Sequence, residues 1–347
     1  MKSGGSLEAN KFLSVQVARG VAALLVAFYH GQHVVKQALG LERLPFGGFF
    51  EFGHAGVEFF FVLSGFIIFY VHRTDLNAPR KLPEFVWKRA GRIYPVFWFV
   101  MILYVSKSVI GGEFEWGHFL KTIFLLPQPP YPLLIQSWTL VHEQLFYLVF
   151  ALAIVNVKLS CLLVSCWLVA FAFMPFSGLD AGGAMSDFVR TVWSGYNFLF
   201  IIGIFVAWFT RRAHVPVPRV LAVVGMLSFL ATGMADNQKG FEANVATGIL
   251  LYGLSSGLVL LGLVAAEARG LLRMGRWANW MGDLSYPLYL IHGAVISVTS
   301  IVFLKLGLSG SGALLLVACV ACACVVAHFV NRFVERPVAR FLRRTWG

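Results

Sequence analysis

Charge is scarce in this chain. Asp, Glu, Lys and Arg make up 13% of the residues, about half the share that a soluble domain carries. So little charge excludes a water-soluble enzyme. Acidic residues are the scarcer sign, 16 against 28 Lys and Arg, for a formal net charge of +12. Cysteine occurs five times, at Cys161, Cys166, Cys319, Cys322 and Cys324, always inside an apolar segment. That placement argues against a disulfide framework. The Cys319, Cys322 and Cys324 spacing reads better as small thiols packed between helices than as metal ligands, so no metal is expected. Internal repeats and low-complexity tracts are not visible. No loop is long enough to hold a soluble domain, so 1–347 reads as a single membrane domain with nothing soluble appended. A cleavable signal peptide is not expected either. The first apolar run is long, carries Arg19 and lacks a small-residue cleavage site.

What the chain has instead is apolar length. Hydrophobic residues make up 59% and the mean hydropathy is +0.77. Runs of about 20 apolar residues, each enough to cross a bilayer core, recur at approximately 13–36, 54–72, 93–110, 137–156, 159–176, 192–210, 217–235, 244–267, 284–306 and 312–334. The predicted fold is all-α, a polytopic bundle of about ten transmembrane helices. About 20 of the 28 Lys and Arg fall on one set of alternating segments when the N-terminus is placed inside. This bias fits the positive-inside rule and puts both termini in the cytoplasm. It also accounts for the basic charge without nucleic acid. A Pro-rich outer loop, LPQPPYP, follows a stretch, HFLKTIFLL, predicted to form a short interfacial helix.

Ionisable side chains inside such spans cost roughly several kcal/mol and are functional candidates by default. Arg19 and His30 bracket RGVAALLVAFYH. They are eleven residues apart, about three helical turns, so they share a face and lie roughly 16 Å apart along the axis. Arg19 either snorkels to inner headgroups or lines a reaction path. Glu58, in GVEFFFVLSGF, and His142 and Glu143, in SWTLVHEQLFY, fall at a depth similar to His30. A carboxylate beside His30 would fix its tautomer and raise its basicity, as a general base requires. Each could equally be a structural hydrogen-bonder. His33 and His54 read as interfacial. His292 lies near mid-membrane in LSYPLYLIHGAV, where Pro287 can locally open the helix. On the inner side, VWKRAGRIYPVFW places Lys88, Arg89 and Arg92 at the start of the third span. Arg89 and Arg92 share a face, and a phosphate there would be favoured by the guanidinium groups and the helix dipole together.

Taken in order, RGVAALLVAFYH, GVEFFFVLSGFII, RAGR with IYPVFW, QSWTLVHEQLFY, DLSYPLYLIH and VNRFVERPVARF resemble the acyltransferase-3 family of integral membrane acyltransferases. Their spacing is most similar to the branch that acetylates bacterial exopolysaccharides. The resemblance runs from about residue 12 to 343. It implies transfer of an acetyl group from acetyl-CoA to a hydroxyl of a carbohydrate acceptor, a surface or secreted polysaccharide or its lipid-linked precursor. It implies His30 as catalytic base or nucleophile with Arg19, Glu58 and Glu143 assisting, and Arg89, Arg92, Lys88 and Arg19 toward the CoA donor. Trp138, His142, Tyr286 and His292 are expected toward the acceptor. His142 replaces a residue that is often a second glutamate in the family. The setting implied is the bacterial cytoplasmic (inner) membrane, among membrane lipids and with polysaccharide biosynthesis or export proteins as further partners. The competing reading from the residues alone is a proton-coupled transporter or flippase of a glycan or small solute, since intramembrane His and Glu also serve proton relays.

Overall fold

The computed structural model describes residues 12–112, 114–128, 132–173, 187–239, 245–308 and 310–346. Lys2 and Lys11, and residues 129–131 of LPQPPYP, lie outside them. The described residues form helices and no strand. In chain order these are α1 (Leu13–Leu39), α2 (Gly56–His72), α3 (Leu82–Ile110), α4 (Trp116–Ile123), α5 (Trp138–Val155), α6 (Val157–Phe173), α7 (Asp187–Val192), α8 (Asn197–Arg212), α9 (Pro218–Lys239), α10 (Val245–Ala268), α11 (Trp277–Lys305), α12 (Gly312–Val330) and α13 (Arg336–Trp346). Nine helical stretches among the described residues are long and apolar enough to cross a membrane. The expected 159–176 span corresponds to α6, apolar and 17 residues long among the described residues, with 174–176 outside them. The interfacial helix expected at HFLKTIFLL is α4, eight residues from Trp116.

Two compact units result. The first takes residues 1–71 and 198–331, the second 72–197 and 332–347.

In the first unit α1 packs on α11, α12 and the 3-10 segment Pro45–Ala55, and α9 packs on α10. Lipid offers no hydrophobic force between helices, so close approach through small residues holds them. A Cβ placed on Gly203 of α8 would stand 1.9 Å from the Val62 carbonyl oxygen, and one on Gly65 of α2 would stand 2.1 Å from that of Phe200. The two glycines therefore let α2 and α8 touch backbone to backbone. Gly53 and Gly56 do the same against Leu25 and Ala22 of α1.

The start of α1 is capped from α10. The Leu13 and Ser14 backbone N–H groups donate to the two Glu267 carboxylate oxygens at 2.7 and 2.8 Å, and the Ser14 hydroxyl donates at 2.5 Å. A carboxylate at a helix N-terminus satisfies orphan donors and meets the positive dipole end.

Helix α11 continues across Pro287. Proline has no N–H for the carbonyl four residues back. That carbonyl, on Asp283, instead accepts from the Asn331 side chain at 3.0 Å. The local opening expected at Pro287 is thus closed by a residue from the end of α12.

In the second unit α3 packs on α4, α5 and α13, and α5 on α6. Phe85, Phe150 and Tyr147 form its aromatic centre, Phe85 stacking on Phe150 at 5.6 Å between centroids. Helix α3 begins at Leu82, not near Ile93. The charged residues that end the apolar run do not end the helix, because Pro83 and Glu84 suit a first turn. Between α12 and α13 the backbone makes one turn of π-helix, Asn331–Glu335.

Gly203→Leu is expected to abolish the folded protein, read as loss of the monodisperse peak in detergent. Asn331→Ala is expected to leave the Asp283 carbonyl unmet and cost about 1–3 kcal/mol, read as a lower melting temperature.

Candidate functional site

In the first unit, the third-last turn of α1 carries the histidine singled out above. His30 stacks on His292 of α11, ring centroids 5.2 Å apart and planes 28° from parallel. Tyr29 sets its ring edge-on to His30 at 4.9 Å, to His33 at 5.2 Å and to His54 at 5.5 Å. His292 is fully buried. Its Nδ1 lies 3.1 Å from the Leu288 carbonyl. A carbonyl only accepts, so the Nδ1–H donates and the Nε2 lone pair is left exposed to its surroundings. That Nε2 is buried and has no hydrogen-bond partner. Such a nitrogen seeks a donor, as a substrate hydroxyl is.

The carboxylates of this unit are spoken for in a way the sequence did not display. Glu58 is buried, and its nearer oxygen lies 3.9 Å from Nδ1 of His54, while its other oxygen has no partner. His54 Nε2 meets Asp236 at 3.0 Å, and the Tyr252 hydroxyl donates to the same Asp236 oxygen at 2.9 Å. Glu51 receives the Gln32 amide at 2.6 Å and meets His33 Nε2 at 3.0 Å. So the carboxylate contact expected at His30 is made by Glu58 to His54, and the ring against His30 is an imidazole. Arg19 donates to Gln16 at 3.3 Å on its own helix. Tyr286 stands on α11, half-buried.

In the second unit the RAGR motif lies about two turns inside α3. The macrodipole acts only over a terminal turn, so the helix-dipole contribution expected for a phosphate there does not apply. Its two arginines and the lysine before it differ. Lys88 is exposed and donates to Glu84 at 2.5 Å, which also receives Lys81 at 2.9 Å. Arg92 pairs with Glu335, a residue of the VNRFVERPVARF stretch. Arg89 lies with its guanidinium carbon 5.9 Å from the ring centres of both Phe85 and Tyr147. The Tyr147 hydroxyl in turn donates to Glu143 at 2.5 Å. Gln144 donates to the Tyr94 hydroxyl. Residues of the RAGR and QSWTLVHEQLFY motifs therefore meet in one place.

At the start of α5, Trp138, His142 and Tyr196 form an aromatic group, with Trp138 5.1 Å from Tyr196 and 5.7 Å from His142. The Asn197 amide nitrogen donates to the Thr191 and Val192 carbonyls at 2.8 and 3.0 Å. Its oxygen therefore accepts from His142 Nδ1–H at 3.1 Å. This leaves the His142 Nε2 as the ring's acceptor position. Aromatic rings beside a fixed imidazole suit the apolar face and hydroxyls of a sugar. His72, Asp75, Tyr147, Tyr196, Asn197, Asp236 and Tyr252 were not found from the sequence. Asp236 and His72, ionisable groups at the ends of apolar runs, carried a visible signal.

A membrane bundle with imidazoles stacked among its helices, and arginines and carboxylates along its spans, defines a multi-pass membrane enzyme of the acyltransferase class. The chain belongs to the acyltransferase-3 family: the family model, described as an acyltransferase domain, matches residues 12–330 and so includes residues of both units. The chain is similar to the exopolysaccharide production protein ExoZ of Rhizobium meliloti, 29% identical over 312 residues, 85% of this chain and 92% of that one. It is similar also to the peptidoglycan O-acetyltransferase OatA of Listeria monocytogenes, 24% identical over 330 residues, 83% of this chain and 51% of that one. It thus spans about half the length of that second relative. No solved structure matches the chain.

The Arg92–Glu335 pair joins α3 to the start of α13. Arg92→Glu and Glu335→Arg are each expected to lower the yield of folded protein, and the double exchange to restore most of it. The fraction of monodisperse protein after heating measures both.

Proposed function

We propose that this protein is a membrane O-acyltransferase that moves an acetyl group from acetyl-CoA to a hydroxyl of a bacterial surface or secreted polysaccharide, or of its lipid-linked precursor. The observation that carries the reading is the stacked pair His30 and His292, with a buried Nε2 lone pair and no protein donor to fill it. A pair of imidazoles inside a membrane bundle supplies neutral proton acceptors without a fixed charge. The names of the two relatives, one in exopolysaccharide production and one an O-acetyltransferase of peptidoglycan, support a carbohydrate acceptor.

Acetyl-CoA, when bound, supplies an acyl group activated as a thioester. His30 takes the proton of the acceptor hydroxyl as a base, or takes the acyl group itself as a nucleophile and passes it on. In either route a carbon–oxygen bond forms, the carbon–sulfur bond breaks, and the hydroxyl proton ends on the leaving sulfur. His292 Nε2 accepts a hydrogen bond from the hydroxyl and orients it. Glu58, through His54, holds charge near the imidazoles, and Glu143 holds Tyr147 against Arg89. Trp138 and His142 of the second unit, and Tyr286 of the first, are the acceptor-binding candidates of their units. Arg89 and Arg92 bind the donor phosphates, with Lys88 and Arg19 as further cationic contacts. The residues present fit an anionic donor, since a guanidinium beside two aromatic rings with no carboxylate in ion-pair contact among the described residues calls for an anion. The cytoplasmic membrane, with both termini inside, is the setting that gives such a donor access.

His30→Ala is expected to abolish acetyl transfer in proteoliposomes supplied with acetyl-labelled acetyl-CoA, with the protein still folded. Label trapped on the wild-type chain assigns the nucleophilic route, and turnover without trapped label assigns the basic one. Substantial transfer by His30→Ala would remove His30 from the catalytic role.

A further inference from the structure

We propose that Asp75 and His72 are positioning residues that hold Arg89 as a seat for a phosphoryl oxyanion, the ligand being the nucleotide end of the acyl donor. This rests on the donor reading above.

The hydrogen-bond chemistry fixes the direction of the chain. A guanidinium only donates. Its Nη2 lies 3.2 Å from His72 Nε2, so that nitrogen accepts and carries no proton. The His72 proton is then on Nδ1, which lies 2.8 Å from Asp75 Oδ2 and donates to it. His72 is buried, 5% exposed, and its ring packs edge-on to Phe85 at 5.0 Å. Asp75 therefore sets the tautomer of His72, and His72 sets the rotation of the Arg89 guanidinium.

The same arrangement leaves the Arg89 charge without a carboxylate in direct contact, Glu143 being reached only through the Tyr147 hydroxyl. An imidazole that accepts from Arg89 is neutral, and it stands between the guanidinium and the Asp75 carboxylate. No carboxylate among the described residues forms an ion pair with Arg89, whereas Lys88 has Glu84 and Arg92 has Glu335. The Arg89 Nε is buried and has no hydrogen-bond partner. An orphaned donor on a cation that lies beside two aromatic rings with no carboxylate in direct contact is costly unless an anion is supplied from outside the protein. A phosphoryl oxygen meets both needs, since guanidinium and phosphate form charge-assisted, often bidentate hydrogen bonds. Arg89, held from behind by a neutral acceptor, is thus distinguished from Arg92, whose charge a protein carboxylate already meets.

A lipid headgroup carries the same phosphoryl chemistry, so the test separates the two sources. The protein in neutral phosphatidylcholine nanodiscs is titrated with CoA, with inorganic pyrophosphate as competitor, and again with phosphatidylglycerol included. CoA is expected to bind, pyrophosphate to displace it, and phosphatidylglycerol to leave the affinity unchanged. Arg89→Gln and His72→Phe are each expected to weaken CoA binding about tenfold or more, the size of a lost charge-assisted hydrogen bond. His72→Gln, which keeps an acceptor toward Arg89, is expected to recover most of that loss. Asp75→Asn keeps the shape and guards against a misfolded His72→Phe. In turnover, Asp75→Asn is expected to raise KM for acetyl-CoA with kcat held, a split that a general loss of structure would not give. Wild-type protein that binds CoA, with Arg89→Gln and Asp75→Asn binding it equally well, overturns this inference and leaves the donor reading standing. Phosphatidylglycerol displacing CoA in wild type but not in Arg89→Gln assigns the seat to lipid and also overturns it. Wild-type protein that binds no CoA overturns the donor reading and this inference with it.

Discussion

A polar side chain inside hydrocarbon has no water to turn to, and every feature of this protein follows from how such groups find partners. Backbone groups are met within the helices. Where the helix cannot meet them, a side chain from elsewhere does: Glu267 closes the start of α1, and Asn331 takes the carbonyl that Pro287 releases. Ionisable groups obey the same rule. Arg92 has Glu335, Lys88 has Glu84, and His54 has Asp236. Against this background the buried atoms without partners stand out, because each is a cost the fold bears unless a ligand removes it.

Three of those atoms, two in the first unit and one in the second, differ in kind. In the first, His292 Nε2 and one Glu58 oxygen are acceptors, suited to the hydroxyls of a polyol. In the second, Arg89 Nε is a donor on a cation, suited to phosphate. The acceptor and the donor proposed above would draw on these two kinds. Membership of the acyltransferase-3 family, and the likeness to proteins of exopolysaccharide production and peptidoglycan acetylation, agrees with acyl transfer to a carbohydrate.

The aromatic side chains extend the logic. Tyr29 touches three histidines, and Tyr147 spans Arg89 and Glu143. A tyrosine offers lipid-compatible bulk and one hydroxyl. It can therefore carry a polar network through an apolar bundle without adding a charge.

Much of the architecture was legible from the sequence. An apolar run of sufficient length has one stable form in a bilayer, so the helices at 13–36, 54–72 and 244–267 could be read directly. The motifs around His30, Arg89 and Glu143 could be read as well, because an ionisable group in such a run is conspicuous. The helix ends were less legible: α3 begins eleven residues before its apolar run, since charges that end hydrophobicity do not end a helix. Partner choice was decided by the tertiary structure. Arg92 meets Glu335 across 243 residues, and His54, read as interfacial, meets Glu58 of α2 and Asp236 of α9. The periodicity of one helix says which side chains share a face. Which neighbour that face meets depends on how glycines such as Gly65 and Gly203 let two backbones close, and that is a property of the packed bundle alone.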